Sequence, residues 1–261
     1  MWNNERAQAA ADMLWSSWQE GRRIAALPDH LRPGTRAEGY AVQALLERRS
    51  KSALFGWKIA ATSRAGQEHI GVDGPIAGRL LAERVKPADA QLQLDRNAMR
   101  VAEPEFAFRI GADLPPHATA YTVEQVLAAV ESLHPAIEVP DSRYENFAKV
   151  GAAQLIADNA CAHEFVLGAA STASWRSLNL VEHEVMGVIN DGAAAKGKGA
   201  NVLGDPRVAL TWLANELSRL QITLRAGQTV TTGTCMAPLT VKPGDRVFVD
   251  FGILGTLTAR F

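Results

Sequence analysis

Two glutamates at strand spacing are the first residues in this sequence that could do chemistry. Glu103 and Glu105 lie two positions apart in the segment 101–108, and residues two apart in a strand face the same side. Neighbouring carboxylates repel each other unless a cation or a proton lies between them. The alternative is a solvated face of an edge strand. Pro104 marks the strand as an edge or an irregular one, because it has no N–H to donate to a ladder.

A third glutamate interrupts an apolar stretch further along the chain. Glu138 lies in the predicted strand 135–139, where a buried charge without a partner is costly. Asp141 and Arg143 follow in a predicted turn, so a surface glutamate beside an Asp–Arg ion pair is the alternative. Three carboxylates on neighbouring strands would suit Mg²⁺ or Mn²⁺, because these hard cations prefer oxygen ligands.

A lysine within an apolar segment is a candidate for proton transfer. Lys58 lies among apolar residues in the segment 56–61. Burial can push a lysine toward neutrality and make it useful as an acid or base. The alternative is a lysine whose stem is buried while its ammonium stays in water.

The elements that must position these residues fall into two parts. Helical spacing predicts a helix over residues 5–19, and Thr35 is placed to cap a second helix that ends near residue 51. We interpret residues 1–54 as an N-terminal helical cover. Residues 55–261 read as short strands with a few helices between them, without regular alternation, which favours a mixed α+β fold with a rolled sheet. The main elements predicted there are strands at 100–110, 135–139 and 165–167, and helices at 122–131 and 205–220.

The composition excludes several classes of protein. Of 261 residues, 47% are hydrophobic and the net charge is −1, with no basic stripe interleaved with aromatics, so we expect no nucleic-acid partner. The two cysteines, Cys161 and Cys235, have no zinc-ligand spacing. No apolar run approaches the about 20 residues that a membrane span needs, and the start lacks a signal-peptide pattern, so we expect a cytoplasmic protein.

The same segments, in this order, resemble a known family. The chain is similar to the 2-keto-4-pentenoate hydratase / 4-oxalocrotonate decarboxylase family, a branch of the fumarylacetoacetate hydrolase superfamily. The similarity extends from about residue 56 to residue 261, and its specificity lies in the joint order of the motifs. The matching pieces are Lys58-Ile59-Ala60-Ala61-Thr62-Ser63, Glu103-Pro104-Glu105, Glu138-Val139-Pro140-Asp141-Ser142-Arg143, Ala157-Asp158-Asn159-Ala160 and Val202-Leu203-Gly204-Asp205-Pro206.

The resemblance implies a fold and a set of site residues. The fold is a mixed β-roll as in the C-terminal domain of fumarylacetoacetate hydrolase, with the N-terminal helices packed on it. The resemblance also implies a homo-oligomer. It places Mg²⁺ or Mn²⁺ on the three glutamates, makes Lys58 the catalytic residue, and puts Thr62, Ser63 and Asp158 near the substrate.

One position departs from the family pattern. Cys161 stands where the hydratases typically carry a serine, and a thiol is a weaker hydrogen-bond donor than a hydroxyl. We count Cys161 among the substrate-binding residues and expect a non-standard substrate tail. Nothing in the sequence activates it, so a buried cysteine is a better interpretation than a nucleophile.

The resemblance implies a metal-dependent hydratase of aromatic meta-cleavage catabolism. It would add water to a 2-hydroxy-2,4-dienoate or 2-oxo-4-enoate and give a 4-hydroxy-2-oxo acid. The alternatives are a 4-oxalocrotonate-type decarboxylase, an acylpyruvate-type C–C hydrolase, and a non-catalytic 2-oxo-acid binding protein. A hydrolase would need a His–Glu pair, and Glu68 with His69 lies in roughly the right region. Adjacent residues on a helix point in different directions, however, which argues against that pair.

Overall fold

The computed structural model describes residues 2–261 and contains six α-helices within that range. Asn3 caps the first helix, and Thr35 with Glu38 forms a capping box at the second. Within the described range, no helix is both long enough and apolar enough to cross a bilayer. The helices are α1 (Asn4–Glu20), α2 (Arg36–Glu47), α3 (Arg64–Ile70), α4 (Val123–Ala128), α5 (Ala152–Ala157) and α6 (Pro206–Arg219).

The strands of residues 2–261 form two sheets, and this mixed α+β architecture confirms the predicted fold class. The strands are β1 (Gly56–Ala60), β2 (Ile76–Leu80), β3 (Val85–Pro87), β4 (Val101–Ile110), β5 (Val130–Val139), β6 (Glu164–Leu167), β7 (Glu184–Ile189), β8 (Ala195–Lys198), β9 (Thr229–Thr234), β10 (Leu239–Thr240), β11 (Arg246–Asp250) and β12 (Thr256–Arg260). The larger sheet has the order β2-β1-β9-β4-β5-β6-β3, with β10 also paired to β4. The smaller sheet has the order β12-β11-β7-β8.

The long central strand β4 separates the core from the site. Its residues Phe106, Phe108 and Ile110 are fully buried on one face and join the main hydrophobic core. Glu103 and Glu105 alternate with them and face the other side, as the period of two predicts.

The N-terminal helices share a second apolar core with the rest of the chain. Leu14 of α1 and Val42 of α2 pack in one cluster with Tyr144 and Ala157. Trp18 at the end of α1 donates a hydrogen bond from Nε1 to His163 Nδ1 at 2.9 Å. The helices therefore pack on the sheet as expected. Their division from it at residues 54 and 55 stays a prediction.

Two local predictions need correction. Pro104 predicts an edge strand or an irregular one. The strand is not an edge, because β4 pairs with β5 on one side and with β9 and β10 on the other, but it is irregular, because the β4–β9 register shifts between Glu105 and Ala107. The Pro104 carbonyl accepts a hydrogen bond from the Cys235 N–H, in the segment between β9 and β10. The side of Pro104 that lacks an N–H therefore faces the place where the pairing is irregular. The helix predicted over 122–131 ends at Ala128, because Val130 already pairs with Ile110 in the sheet.

Candidate active site

Strand pairing brings the three predicted glutamates together. Glu103 lies directly opposite Glu138 in the β4–β5 register, and Glu105 is one pleat further along β4. One carboxylate oxygen from each residue lies within 4.8 Å of the others. Glu105 and Glu138 are almost completely buried, at 0% and 1% exposure. Three buried carboxylates this close together repel one another unless a cation or a proton lies between them.

The hydrogen bonds of Glu105 orient its carboxylate. The hydroxyl of Thr231 and the N–H of Gly233, at 2.7 Å, both donate to Glu105 Oε2. Glu105 Oε1 is buried and accepts no hydrogen bond. Glu138 Oε2 is likewise buried and accepts none. Buried acceptors are normally satisfied, and leaving one unpaired costs about 1–3 kcal/mol. A cation at these two oxygens would satisfy both.

The balance of charge also fits a divalent cation. Burial raises the pKa of Glu103 to about 7, and the neighbouring charge of Glu138 adds to that effect. Burial likewise raises the pKa of Glu105 and of Glu138. The ammonium of Lys58 balances one of the three carboxylates. One divalent cation would balance the other two, and the all-oxygen donor set suits Mg²⁺ or Mn²⁺.

Lys58 is buried against this cluster. Its Nζ lies 3.0 Å from Glu138 Oε1 and 3.0 Å from the main-chain oxygen of Ala160. Burial alone would lower the pKa of Lys58, but the charges of Glu138, Glu103 and Glu105 outweigh it and the pKa is raised. The three carboxylates that face the ammonium therefore oppose the neutral form that burial favours, and the role of Lys58 in proton transfer stays a prediction.

A left-handed turn supplies the carbonyl that Lys58 contacts. Asn159, Ala160 and Cys161 have φ values of 55°, 49° and 61°, a conformation that costs residues other than glycine about 1–2 kcal/mol each. The Asn159 side chain accepts from the Arg79 N–H at 2.6 Å and donates to the Arg79 carbonyl at 2.8 Å. These two bonds fasten the turn to β2. Gly78 provides the room, because a Cβ there would lie 2.4 Å from the Asn159 oxygen.

A cavity of about 690 Å³ opens beside the cluster. It brings together five of the predicted site residues, whose side chains contribute the carboxylate, the ammonium, two hydroxyls and a thiol. These residues are Glu103, Lys58, Thr62, Ser63 and Cys161. The size is in the range of pockets that bind small organic ligands.

Asp158 does not line this cavity. Its carboxylate is completely buried, forms an ion pair with Arg143 Nε and accepts from the Ser142 hydroxyl at 2.7 Å. The Arg143 N–H donates to the same carboxylate at 3.0 Å. The acceptor positions of Asp158 are already taken within the protein, so its bonds do not support direct substrate contact, which stays a prediction. Its position at the start of the left-handed turn makes it a support for that turn.

Cys161 lies at the cavity as a neutral thiol. Burial raises its pKa to about 12, and the charge of Asp158 acts in the same direction. A thiol of this kind is a poor nucleophile at neutral pH. The structure thus agrees with the expectation of a buried cysteine rather than a nucleophile, whereas contact of Cys161 with substrate stays a prediction.

Comparison with known proteins places this site in a family. The model of the fumarylacetoacetate (FAA) hydrolase C-terminal family matches residues 82–261, which is more than half of the chain. The chain belongs to this family. Its N-terminal helices lie outside the matched residues, while all three glutamates lie inside them.

Full-length relatives narrow the position within the fumarylacetoacetate hydrolase family. The chain is 33% identical to 2-keto-4-pentenoate hydratase 2 of Dechloromonas aromatica, with 100% of each chain covered. It is 34% identical to 4-oxalocrotonate decarboxylase of Pseudomonas sp. strain CF600, over 87% of this chain and 86% of the relative. The solved 4-oxalocrotonate decarboxylase from Pseudomonas putida G7, complexed with magnesium and adipate, superposes with a TM-score of 0.91 at 30% identity, covering 100% of this chain and 99% of that one.

The Glu68–His69 pair considered for a family hydrolase does not form. Glu68 accepts a hydrogen bond from Arg64 at 2.9 Å on the exposed face of α3. His69 lines the cavity and lies edge-on to Phe147, with 5.9 Å between ring centroids. The two side chains diverge because adjacent helical residues point about 100° apart.

Sequence reasoning missed the groups that orient the cluster. Thr231 and Gly233 hold Glu105, and the carbonyl of Ala160 holds Lys58. The glycine in Thr231-Thr232-Gly233-Thr234 was the available signal, since it interrupts a strand pattern and glycine there indicates a bulge or a close approach. Gly233 has a φ of 95°, and a Cβ on it would lie 2.1 Å from Thr62 Oγ1.

Proposed function

We propose that this protein is a metal-dependent hydratase that ketonises a 2-hydroxy-2,4-dienoate to the conjugated 2-oxo acid and adds water at C4, giving a 4-hydroxy-2-oxo acid. The observation that carries the proposal is the group of three carboxylates with unpaired buried oxygens, placed beside a lysine at a cavity. A 2-oxo acid presents a carboxylate oxygen and a C2 oxygen side by side. Such a pair is suited to a cation that keeps open positions.

We assign metal binding to the three glutamates and proton transfer to Lys58. Glu103, Glu105 and Glu138 would hold the cation, which supplies Lewis-acid stabilisation of negative charge on an adjacent oxygen. Lys58 directs N–H groups at Glu138 and Ala160. An ammonium has three such groups, so one is left for a substrate in the cavity. Lys58 is therefore placed to serve ketonisation of the dienol, in which its ammonium donates a proton to C5 and the amine so formed takes the proton of the C2 hydroxyl.

We propose Mg²⁺ or Mn²⁺ as the cation. The relative from Pseudomonas putida G7 holds magnesium in one structure and calcium in another. Two of the carboxylates in this chain are buried on rigid strands, which favours a small ion with defined geometry. We further propose a cytoplasmic location, because both cysteines are free and buried. A homo-oligomer is expected from the resemblance, and light scattering of the purified protein tests it.

A second candidate is decarboxylation of a 4-oxalocrotonate-type substrate. The full-length similarity to 4-oxalocrotonate decarboxylases supports it as strongly as it supports hydration. Both reactions need negative charge to be stabilised on the C2 oxygen, so the same carboxylates and Lys58 would serve either one. Acylpyruvate hydrolysis is less well supported, because Glu68 and His69 do not act together.

Product identification tests the proposal. The Mg²⁺-loaded protein is given 2-hydroxypenta-2,4-dienoate, and the products are followed by proton NMR. We expect 4-hydroxy-2-oxopentanoate, with loss of turnover after chelation. Consumption of 4-oxalocrotonate with release of CO₂, without hydration of any dienoate, would replace hydration with the second candidate. Binding of pyruvate without turnover of any of these compounds would indicate a binding protein.

A further inference from the structure

Apolar side chains line most of the cavity beyond the carboxylates. Val101 lies two residues from Glu103 on the same face of β4, about 7 Å along the strand. Ile70, Met99 and Phe147 are each half-buried, pack against the main core, and continue this lining. The volume of about 690 Å³ far exceeds what a five-carbon acid needs. A substrate whose acid end lies at the glutamates therefore has room for a tail along an apolar wall.

The polar groups of the cavity are placed at its acid end or are already engaged. Thr62 abuts Gly233, whose N–H holds Glu105. Ser63 accepts from the N–H of Gly66 as the cap of α3, and the Asn201 amide donates to the Cys235 carbonyl at 2.8 Å. The Ser63 hydroxyl keeps its O–H as a donor, but it is uncharged, as are Thr62 and Asn201, so none of these groups can neutralise a second carboxylate.

The cavity offers no cation for a second carboxylate. Among the described residues that line it there is no arginine, and the lysine is Lys58 alone. That ammonium is engaged by Glu138 at 3.0 Å. His69 lies at the exposed rim, edge-on to Phe147. An ionised carboxylate moved from water to such a surface without a partner loses solvation that nothing replaces.

We infer that the substrate of this site is a monocarboxylate with an uncharged, apolar tail, and that Met99 and the side chains beside it select against a second carboxylate. This inference rests on the proposed function for the position of the acid end. It names the substrate class that the hydratase reading leaves open, and it disfavours the dicarboxylate of the second candidate.

Binding of two 2-oxo acids that differ only in the tail tests this inference without relying on turnover. 6-Methyl-2-oxoheptanoate and 2-oxoadipate have the same number of heavy atoms, with an isopropyl group in place of the distal carboxylate. Their dissociation constants are measured by calorimetry on the Mn²⁺-loaded protein, with pyruvate as the reference for the acid end. We expect the isopropyl compound to bind at least about tenfold more tightly than 2-oxoadipate.

A variant of the wall tests the residue assignment. Met99→Lys places an ammonium on a half-buried, unbranched side chain of similar length, and it should narrow or reverse the preference while pyruvate binds as before. Met99→Leu is the control and should keep the wild-type preference. Equal or tighter binding of 2-oxoadipate by the wild-type protein would overturn the inference, as would an unchanged preference in a folded Met99→Lys protein. Failure of pyruvate to bind would instead count against the proposed function.

Discussion

The Lys58 ammonium donates to the main-chain oxygen of Ala160 at 3.0 Å, opposite its ion pair with Glu138. A left-handed turn therefore fixes one side of the ammonium, and a metal-site carboxylate fixes the other. Strained backbone of this kind persists only where the surroundings determine it. Here the surroundings are the two bonds between Asn159 and Arg79 and the close approach of the turn to Gly78, which has no side chain in the way.

Replacing Lys58 should separate catalysis from metal binding. Lys58→Met keeps an unbranched buried side chain but removes the ammonium, and kcat should fall about 10²-fold or more. The three carboxylates remain, so Mn²⁺ should still bind about one per chain. Lys198→Met, at an exposed ion pair with Glu182, is the matched control. A kcat within a factor of two of wild type would mean that Lys58 only balances charge.

Filling the space above Gly78 should displace the same ammonium indirectly. A Cβ at Gly78 would lie 2.4 Å from the Asn159 oxygen and 3.0 Å from Lys58 Cδ. Gly78→Ala should therefore lower kcat by about tenfold or more, because small misplacements at an active site are costly. Gly74→Ala meets nothing within 4 Å and serves as the control. Equal kcat and KM for the two variants would show that the turn does not position Lys58 for catalysis.

Loss of the Asp158 charge should affect stability first. Asp158→Asn leaves Arg143 buried without its partner, and breaking such a pair costs about 3–5 kcal/mol in the free energy of unfolding. The exposed pair Arg109–Glu131 offers a control, since Glu131→Gln should change stability by less than about 1 kcal/mol. Urea denaturation measures both. A fully stable Asp158→Asn protein with a raised KM would restore Asp158 as a substrate ligand.

The histidine beneath Trp18 should make stability depend on pH. Burial, followed by the charges of Arg143, Arg84 and Arg23, lowers the pKa of His163 to about 3. An unfolded histidine titrates near 6.5. Below that pH His163 binds a proton in the unfolded chain but stays neutral in the native state. His163 therefore has no effect above about pH 6.5, and it lowers the free energy of unfolding progressively as the pH falls toward 3.

The variant His163→Gln separates the effect of His163 on stability from the effects of the carboxylates that titrate in the same pH range. Glutamine can still accept from Trp18 Nε1 through its side-chain oxygen, but it does not titrate. Between pH 5.5 and 4.5 the wild-type protein should lose about 1.4 kcal/mol more stability than His163→Gln, which is the effect of one proton per pH unit. Parallel stability curves for the two proteins would show that native His163 protonates as an ordinary histidine does.

Local patterns predicted much of this fold and site. The period of two put Glu103 and Glu105 on one face, and Asp205-Pro206 marked the start of α6. Each of these patterns involves only neighbouring residues, so it can be recognised in a single sequence without an alignment. The pairing of Glu103 with Glu138 needed the register of two strands, which the family resemblance implied and the residues alone left open.

Long-range partners and unusual backbone escaped prediction. Nothing near Asp158 shows that Arg143, fifteen residues earlier, occupies its carboxylate. Three successive residues other than glycine in the left-handed region run against ordinary preference, so no propensity predicts the turn at Asn159. Pro104 left an edge strand and an irregular strand equally open, and only the pairing partners show that the irregular strand is the one formed.

Metal binding by the wild-type protein and Glu105→Gln tests the central claim most directly. Thr231 and Gly233 hold one oxygen of Glu105 and leave the other unpaired toward Glu103 and Glu138. Titration with Mn²⁺, followed by electron paramagnetic resonance, should show about one ion per wild-type chain. It should show at least about a hundredfold weaker binding to Glu105→Gln, with Glu68→Gln behaving as wild type. Equal Mn²⁺ affinity in all three proteins would contradict the assignment of these glutamates as the metal site.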